Sequence, residues 1–351
     1  MKTYRFGIIG AGMIGPWHAE AIRQLPNAEL VGICDFGVGN AESFGPRCGC
    51  APGVCDMESF IARDDLDVIT VGTPSGTHCE IAELAAKHGK HCIVEKPMEI
   101  TLERIDRMIE AHEKAGTSLG GIFNGRFVPS AGVLKEAVDA GRFGRLTFGM
   151  AFGPWWREQS YYDDGGWRGT RAIDGGGSFM NQGIHTIDML SWLMGPVRRV
   201  GGITATLGHE RIEVEDTGGA VVEFESGALG VLACTTSMWP GKARQVEVSG
   251  TGGTVSMGDS TFNTWQFREE TPADDDIRAR YLAQTTTAVG ASDPSAGFTA
   301  DSHRDNIAEF LAALDEGRRP SVDGHEARKA VRIILAVYES ARNGGAPVLL
   351  D

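Results

Sequence analysis

Three glycines, Gly10, Gly12 and Gly15, follow directly on the apolar run Phe6 to Ile9. In a Gly-x-Gly-x-x-Gly loop one glycine permits a tight turn, one lets the main chain approach a pyrophosphate, and one lets a helix pack closely on its strand. Met13 and Ile14 lie inside the loop, and a helix opening at Ile14 would aim its first N–H groups at the phosphates of a dinucleotide. Asp35 ends the next apolar run about twenty residues further on, where a carboxylate accepts bonds from the adenosine ribose hydroxyls. A carboxylate there repels a 2′-phosphate, and no Arg or Lys follows before Arg47. The pattern therefore predicts NAD in preference to NADP.

A second group combines Glu95-Lys96-Pro97, behind Cys92 to Val94, with Asn181 and His185 much later in the chain. Ligands of open parallel sheets bind beyond the carboxyl ends of the strands, which puts Lys96 at the edge of a cofactor crevice. Pro97 biases Lys96 away from helix and admits a cis bond. Taken alone, such a lysine is more often a solvated surface residue. An α-helix over Met180 to Met194 would put Asn181 and His185 on one face at i and i+4, with Asp188 a turn further. Imidazole exchanges protons near neutrality, whereas an amide can only bind or orient. A lone histidine between Ile184 and Ile187 is otherwise a satisfied member of an apolar face, and Asp188 reads as a supporting acid or a cap. Trp155, Trp156, Tyr161, Tyr162, Trp167, Arg168 and Arg171 cluster upstream. Aromatic faces with guanidinium forks suit a polyol ring, so Trp167 and Arg168 are expected at cofactor or substrate, with a packing or interface cluster as the other reading.

Alternating elements would hold these groups in place. Strand-like runs Phe6 to Ile9, Leu30 to Cys34, Val68 to Val71, Cys92 to Val94 and Leu119 to Phe123 alternate with helical patterns Ile14 to Leu25, Thr77 to His88 and Leu102 to Ala115. Such alternation predicts a doubly wound α/β domain with a parallel sheet over residues 1–123. From 124 to 351 the β-rich runs Val197 to Thr206, Ala220 to Glu225, Ala228 to Thr236, Gln245 to Ser249 and Thr261 to Phe267 predict an α/β domain with a large, open, mostly antiparallel sheet. Ser226-Gly227 and Gly250 to Thr254 read as hairpin turns, and Glu269 to Thr299 as a long loop. The helical patterns Asn306 to Asp315 and Glu326 to Arg342 are available to pack back on the first domain.

Composition closes off other classes. A chain of 351 residues exceeds what one core usually supports. Its formal charge of −14 argues against nucleic acid and anionic membranes as partners. No apolar run is long enough to span a bilayer, and the first one passes into a glycine loop rather than a cleavage site, so a cytoplasmic location is expected. The seven cysteines suit reduced thiols, and Cys48, Cys50 and Cys55 lack an obvious fourth ligand, so no metal is expected.

Taken together, the chain resembles the Gfo/Idh/MocA oxidoreductase family, named for glucose–fructose oxidoreductase, inositol dehydrogenase and a rhizopine-catabolism protein. The matching segments are Gly10 to Gly15, Thr73-Pro74 with His78, Glu95-Lys96-Pro97, Asn124 with Arg126-Phe127, Gly175-Gly176-Gly177, and Gly183 to Asp188. The resemblance implies a Rossmann domain, NAD(H), a carbohydrate or polyol substrate, and a homodimer or homotetramer joined through the C-terminal sheet. It implies that Lys96 binds the reacting hydroxyl and the nicotinamide ribose, that His185 takes part in proton transfer, and that Thr73, Pro74, His78 and Glu95 line the cofactor. Arg126, Trp167, Arg168 and Asn181 join Lys96 and His185 on the substrate side. Many members carry Asp where this chain has Asn181, and the Asn form resembles members acting on amino sugars or nucleotide-linked sugars. Two other functions stay open: an NAD-dependent glycosidase or lyase that oxidises a sugar carbon transiently, and a non-catalytic NAD-sensing regulator, against which Lys96 and His185 both speak.

Overall fold

The computed structural model describes residues 2–35, 52–53, 56–164, 166–283 and 299–350. The chain divides into two compact units, 1–124 with 299–328, and 125–298 with 329–351. In the first unit β1 (Tyr4–Ile9), β2 (Ala28–Cys34), β3 (Pro52–Gly53), β4 (Val68–Val71), β5 (His91–Val94) and β6 (Leu119–Gly121) form a parallel sheet in the order β3-β2-β1-β4-β5-β6. Val68, Ile69, Val71 and Cys92 to Val94 are wholly buried, as a sheet covered on both faces requires. The intervening helices are α1 (Gly15–Arg23), α2 (Met57–Ile61), α3 (His78–Lys87) and α4 (Leu102–Ala115). In α4, Thr101 accepts the Arg104 N–H at the start and Gly116, at φ 68°, ends the helix.

Helix Asp301–Glu316 comes from far along the chain and belongs to this first unit. Its Ile307, Phe310 and Leu311 share a core cluster with Phe6 and Ile8 of β1 and Ala19 and Ile22 of α1. β6 is glycine-rich to admit that helix: a Cβ on Gly120 would lie 2.6 Å from the Phe310 ring.

The second unit is built on an eight-stranded sheet ordered β13-β12-β11-β7-β10-β9-β8-β14. Its strands are β7 (Leu146–Pro154), β8 (Val197–Ala205), β9 (Thr217–Phe224), β10 (Leu229–Thr235), β11 (Gln245–Gly250), β12 (Gly253–Met257), β13 (Phe262–Phe267) and β14 (Val348–Leu349). β7 and β10 run parallel, and the other pairings in this sheet are antiparallel. The two hairpin turns expected at Ser226-Gly227 and at Gly250 to Thr254 join β9 to β10 and β11 to β12; Gly227 takes φ 82°. On one face Leu190 and Met194 press on β7 at Gly149, where a Cβ would come within 2.9 Å of Leu190.

Three expectations change. The stretch from Glu269 onward holds a helix, Pro272–Tyr281, before the described residues stop at 283. Few apolar residues mark it, but Thr271 and Asp274 form a capping box and Pro272 occupies the first turn. The regular α-helix expected from Met180 begins instead as a π-turn, Ser178–Gly183, and becomes α-helical only over Ile184–Met194. β3, β7, β12, β14, α2 and the helices Pro129–Asp139 and Gln159–Asp163 had no counterpart among the predicted elements. Arg47, Cys48, Cys50 and Cys55 lie outside the described residues. Among the described residues no helix is long and apolar enough to cross a membrane.

Candidate active site

β1 delivers the chain into the glycine loop. Gly10 sits at φ 104°, and a Cβ there would lie 2.6 Å from the Gly72 carbonyl oxygen, so no larger residue fits. Gly12 is the opposite case: a Cβ would meet nothing within 4 Å. That open backbone, next to the exposed Met13, is what the approach of a pyrophosphate needs. α1 begins at Gly15 with Pro16 in its first turn and no side-chain cap from Ile14, leaving that end to receive an anion. Asp35, one residue beyond β2, accepts the Ala11 N–H at 2.5 Å and ties the loop to the second strand. The loop, helix end and carboxylate together fit a dinucleotide.

The chain leaves β4 through Thr73-Pro74 and β5 through Glu95-Lys96-Pro97, with the Lys96–Pro97 peptide cis. His78 joins these two exits. Its buried ring has Nε2 2.9 Å from the Thr73 carbonyl and Nδ1 3.0 Å from that of Pro97. Glu95 is buried and accepts N–H bonds from His18 Nε2 at 2.9 Å, His303 Nε2 at 3.3 Å and the Lys96 backbone at 3.1 Å. The Asn124 amide donates to His303 Nδ1 at 3.2 Å, which fixes the proton of that ring on Nε2. Burial alone would raise the Glu95 carboxyl, but the hydrogen bonds from His18 and His303 outweigh it and hold Glu95 well below the usual range. The donor atoms of these three residues lie within 4.8 Å of one another, a spacing a divalent ion could use. Here Glu95 is already satisfied by N–H groups, and its second oxygen holds the main chain of Lys96.

In the second unit the π-turn carries Asn181 and Gln182 and leads into His185, which is half-buried in the first turn of its helix. π-turns are rare and cluster at functional sites. Asn181 Nδ2 donates to the buried Asp174 at 2.8 Å, and Asp174 also takes the Gly169 N–H at 2.8 Å. The carboxylate absent at position 181 thus recurs as the partner that orients its amide. Gln182 donates to the Tyr161 hydroxyl at 3.3 Å. Around Tyr161, cations and rings alternate: Arg168 lies 4.5 Å from the Tyr161 ring and 5.2 Å from Trp167, and Arg157 lies 5.5 Å from Tyr161 and 5.0 Å from Trp155. Tyr162 turns inward to Thr236 at 2.8 Å, and Arg171 is held at the surface by Glu213. Arg126 forms a buried, two-pronged ion pair with Asp188 at 2.8 and 2.6 Å. This pair braces the helix of His185 from behind.

The first unit thus gathers the glycine loop with Asp35, Thr73, Pro74, His78, Glu95 and Lys96. The second gathers Trp167, Arg168, Asn181 and His185. Sequence reasoning passed over His18, Asp174, Glu215 and His303. His18 was legible in principle, because it shares the buried face of α1 with Gly15 and Ile22. His303 and Glu215 reach their partners only through the tertiary fold and leave no spacing to read.

Residues 4–121 match the family described as "Oxidoreductase family, NAD-binding Rossmann fold", and residues 133–256 match "GFO/IDH/MocA C-terminal domain". A myo-inositol 2-dehydrogenase of Thermotoga maritima is 28% identical over 349 residues, covering 96% of this chain and 96% of that protein. A D-apiose dehydrogenase of Paraburkholderia graminis is 28% identical over 98% of this chain and 89% of its own length. Among solved structures, the WlbA dehydrogenase from Bordetella pertussis, in complex with NADH and UDP-GlcNAcA, is 32% identical with a TM-score of 0.88, covering 100% of this chain and 99% of that one. With both halves matched and a relative of that identity along the whole chain, the protein belongs to the GFO/IDH/MocA family of NAD-binding oxidoreductases.

Proposed function

We propose that the protein transfers a hydride reversibly between NAD and a hydroxyl-bearing carbon of a sugar, polyol or nucleotide-linked sugar. The glycine loop carries this reading: open backbone at Gly12, an uncapped helix end at Gly15 and a carboxylate at Asp35 are the three features an NAD pyrophosphate and ribose require. Met13, Ile14, Thr73 and Pro74 complete the cofactor side, and His78 and Glu95 hold its loops. Oxidation of an alcohol also requires removal of its hydroxyl proton. Lys96 binds the hydroxyl oxygen and favours its ionised form, His185 carries the proton, and Asn181 orients a neighbouring hydroxyl. Arg126 acts through its pair with Asp188.

Within this class an anionic, nucleotide-linked sugar is favoured. Arg168, half-buried over the Tyr161 and Trp167 rings, is the cation offered to such an anion. The Bordetella relative is described with UDP-GlcNAcA. The open face of the eight-stranded sheet is assigned to a second copy of the chain.

The test follows NADH absorbance over a panel of inositols, free sugars and UDP-linked uronates. Lys96→Ala and His185→Ala are expected to lose several orders of magnitude in turnover while NADH still binds by fluorescence titration. Full turnover in either variant would sink the assignment. A preference for free inositol over the UDP-linked uronate would move the substrate class without touching the chemistry.

A further inference from the structure

Glu215 stands just before β9, buried, and reaches the start of the π-turn with every acceptor it has. Its backbone oxygen takes the Ser178 N–H at 3.1 Å, Oε2 takes that of Gly177 at 3.0 Å, and Oε1 takes that of Phe179 at 2.9 Å. One residue thus satisfies three consecutive N–H donors at a helix start, where such groups otherwise lack partners. Tyr338, from helix Gly324–Arg342, donates its hydroxyl to Oε1 at 2.9 Å.

The same contacts explain Gly176 and Gly177, while Gly175 takes φ 76°. A Cβ on Gly177 would lie 1.6 Å from the Glu215 carbonyl oxygen, and one on Gly176 would lie 2.2 Å from the Tyr338 hydroxyl. At the far end of the turn a Cβ on Gly183 would lie 2.3 Å from Cys234 Sγ on β10. The turn is clamped at its head by a carboxylate and at its tail by the sheet, and Asn181 and His185 take their places from it.

We infer that Glu215 is a positioning residue for the reaction: it sets the π-turn Ser178–Gly183 and, through that turn, the placement of Asn181 and His185. The inference rests on the reading of His185 as the proton carrier. An ionised carboxylate accepts from Gly177, Phe179 and Tyr338 at full strength; a protonated one is the weaker acceptor on its hydroxyl oxygen, and an amide turns an N–H2 group, which cannot accept, toward one of the turn's N–H groups. The groups facing it are the Tyr338 hydroxyl from the C-terminal helix, the Cys234 thiol from β10 and the N–H groups of the turn itself. Burial pushes the Glu215 carboxyl up to about 7, against the pull of the Phe179 N–H and the Tyr338 hydroxyl. The clamp therefore loosens as pH falls through neutrality.

The experiment compares wild type, Glu215→Gln and Tyr338→Phe by the pH profile of kcat/KM and by amide hydrogen exchange over residues 176–185. Glu215→Gln is expected to exchange faster across the turn and to lose about tenfold or more in kcat while NADH affinity holds, since one N–H loses its acceptor. Tyr338→Phe removes a donor that favours the ionised form, so its acidic limb is expected to move up by about one pH unit. A limb belonging to His185 alone would stay in place. Unchanged exchange in Glu215→Gln, or faster exchange with wild-type kcat and pH profile, overturns the inference. Should Glu215→Gln fail to fold, the limb of Tyr338→Phe decides, a shift supporting the inference and a fixed limb overturning it. Full turnover in His185→Ala would instead defeat the reading of His185, and the exchange data would still judge the hold of Glu215 on the turn.

Discussion

At Asp35 one side chain does two jobs that a substitution can separate. The carboxylate accepts the Ala11 N–H and so shapes the glycine loop, and in the proposed role its charge also turns away a 2′-phosphate. Asp35→Asn keeps an acceptor for Ala11 and removes only the charge. It is expected to narrow the NADH-over-NADPH preference by on the order of tenfold, with NADH affinity little changed; parallel fluorescence titrations with both coenzymes read the ratio. An unchanged ratio would place coenzyme choice elsewhere. Asp35 and Lys96 were legible as candidates because each closely follows a strand of the alternating pattern, and Lys96 and His185 take their expected roles from the family resemblance. Asp174 and Glu215 were not, since their roles come from which amide each one faces, at Asn181 and at the π-turn. Arg126 shows the limit from the other side: its type suits a substrate anion, but the fold gives it Asp188.

The helix Ile184–Met194, which carries His185, is tied to Arg126 through Asp188. Arg126 and Asp188 are both buried and joined by two charge-assisted bonds, so removing one partner strands a charge away from water. Asp188→Asn or Arg126→Met is expected to cost roughly 3–5 kcal/mol by urea denaturation, and replacing both by apolar residues should recover much of it. A loss under about 1 kcal/mol would mean that water reaches the pair. Helix Pro272–Tyr281 makes a second case. Asp274 is buried under the Arg142 guanidinium, which, with the Thr271 cap and the Trp265 N–H, holds its carboxyl well below the ordinary range. Because the folded pKa is depressed, this contribution is complete above the unfolded value near 3.8 and is lost as pH falls below it. Asp274→Asn should therefore flatten the acid side of a stability–pH curve and leave its neutral-to-alkaline shape alone. Five of the six parallel strands of the first unit were read to within two residues at either end because buried strands are continuous apolar runs, whereas the two-residue β3 carries no such run. β7 and the Pro272 helix were missed because an edge-to-centre strand with three exposed or half-exposed leading residues, and a helix held by its cap, carry little periodicity.

Across the whole second unit, one face of the sheet is left with a coherent apolar strip. Pairing register sets Gly201, Val221, Val231 and Met150 in one row across β8, β9, β10 and β7, with Ile203, Gly219, Ala233 and Phe152 in the next. Ile203 is 69% exposed and Val221 58%, while the alternating residues Val200 and Val222 are buried on the opposite face. A strip of that kind, with charge only at its margins, suits an interface that repeats the same patch on each partner. Wild type is therefore expected to sediment at a multiple of its 37.5 kDa chain mass. Val231→Glu sets a charge in the middle of the row without disturbing the buried face, so it should shift the protein to single chains that still bind NADH. Because a carboxylate on both copies would be desolvated against its twin, the dissociation should grow with pH above the carboxylate range and weaken below it. A wild-type protein that sediments as one chain at micromolar concentration would leave the strip without its partner, and a Val231→Glu variant that stays assembled would move the interface to another surface.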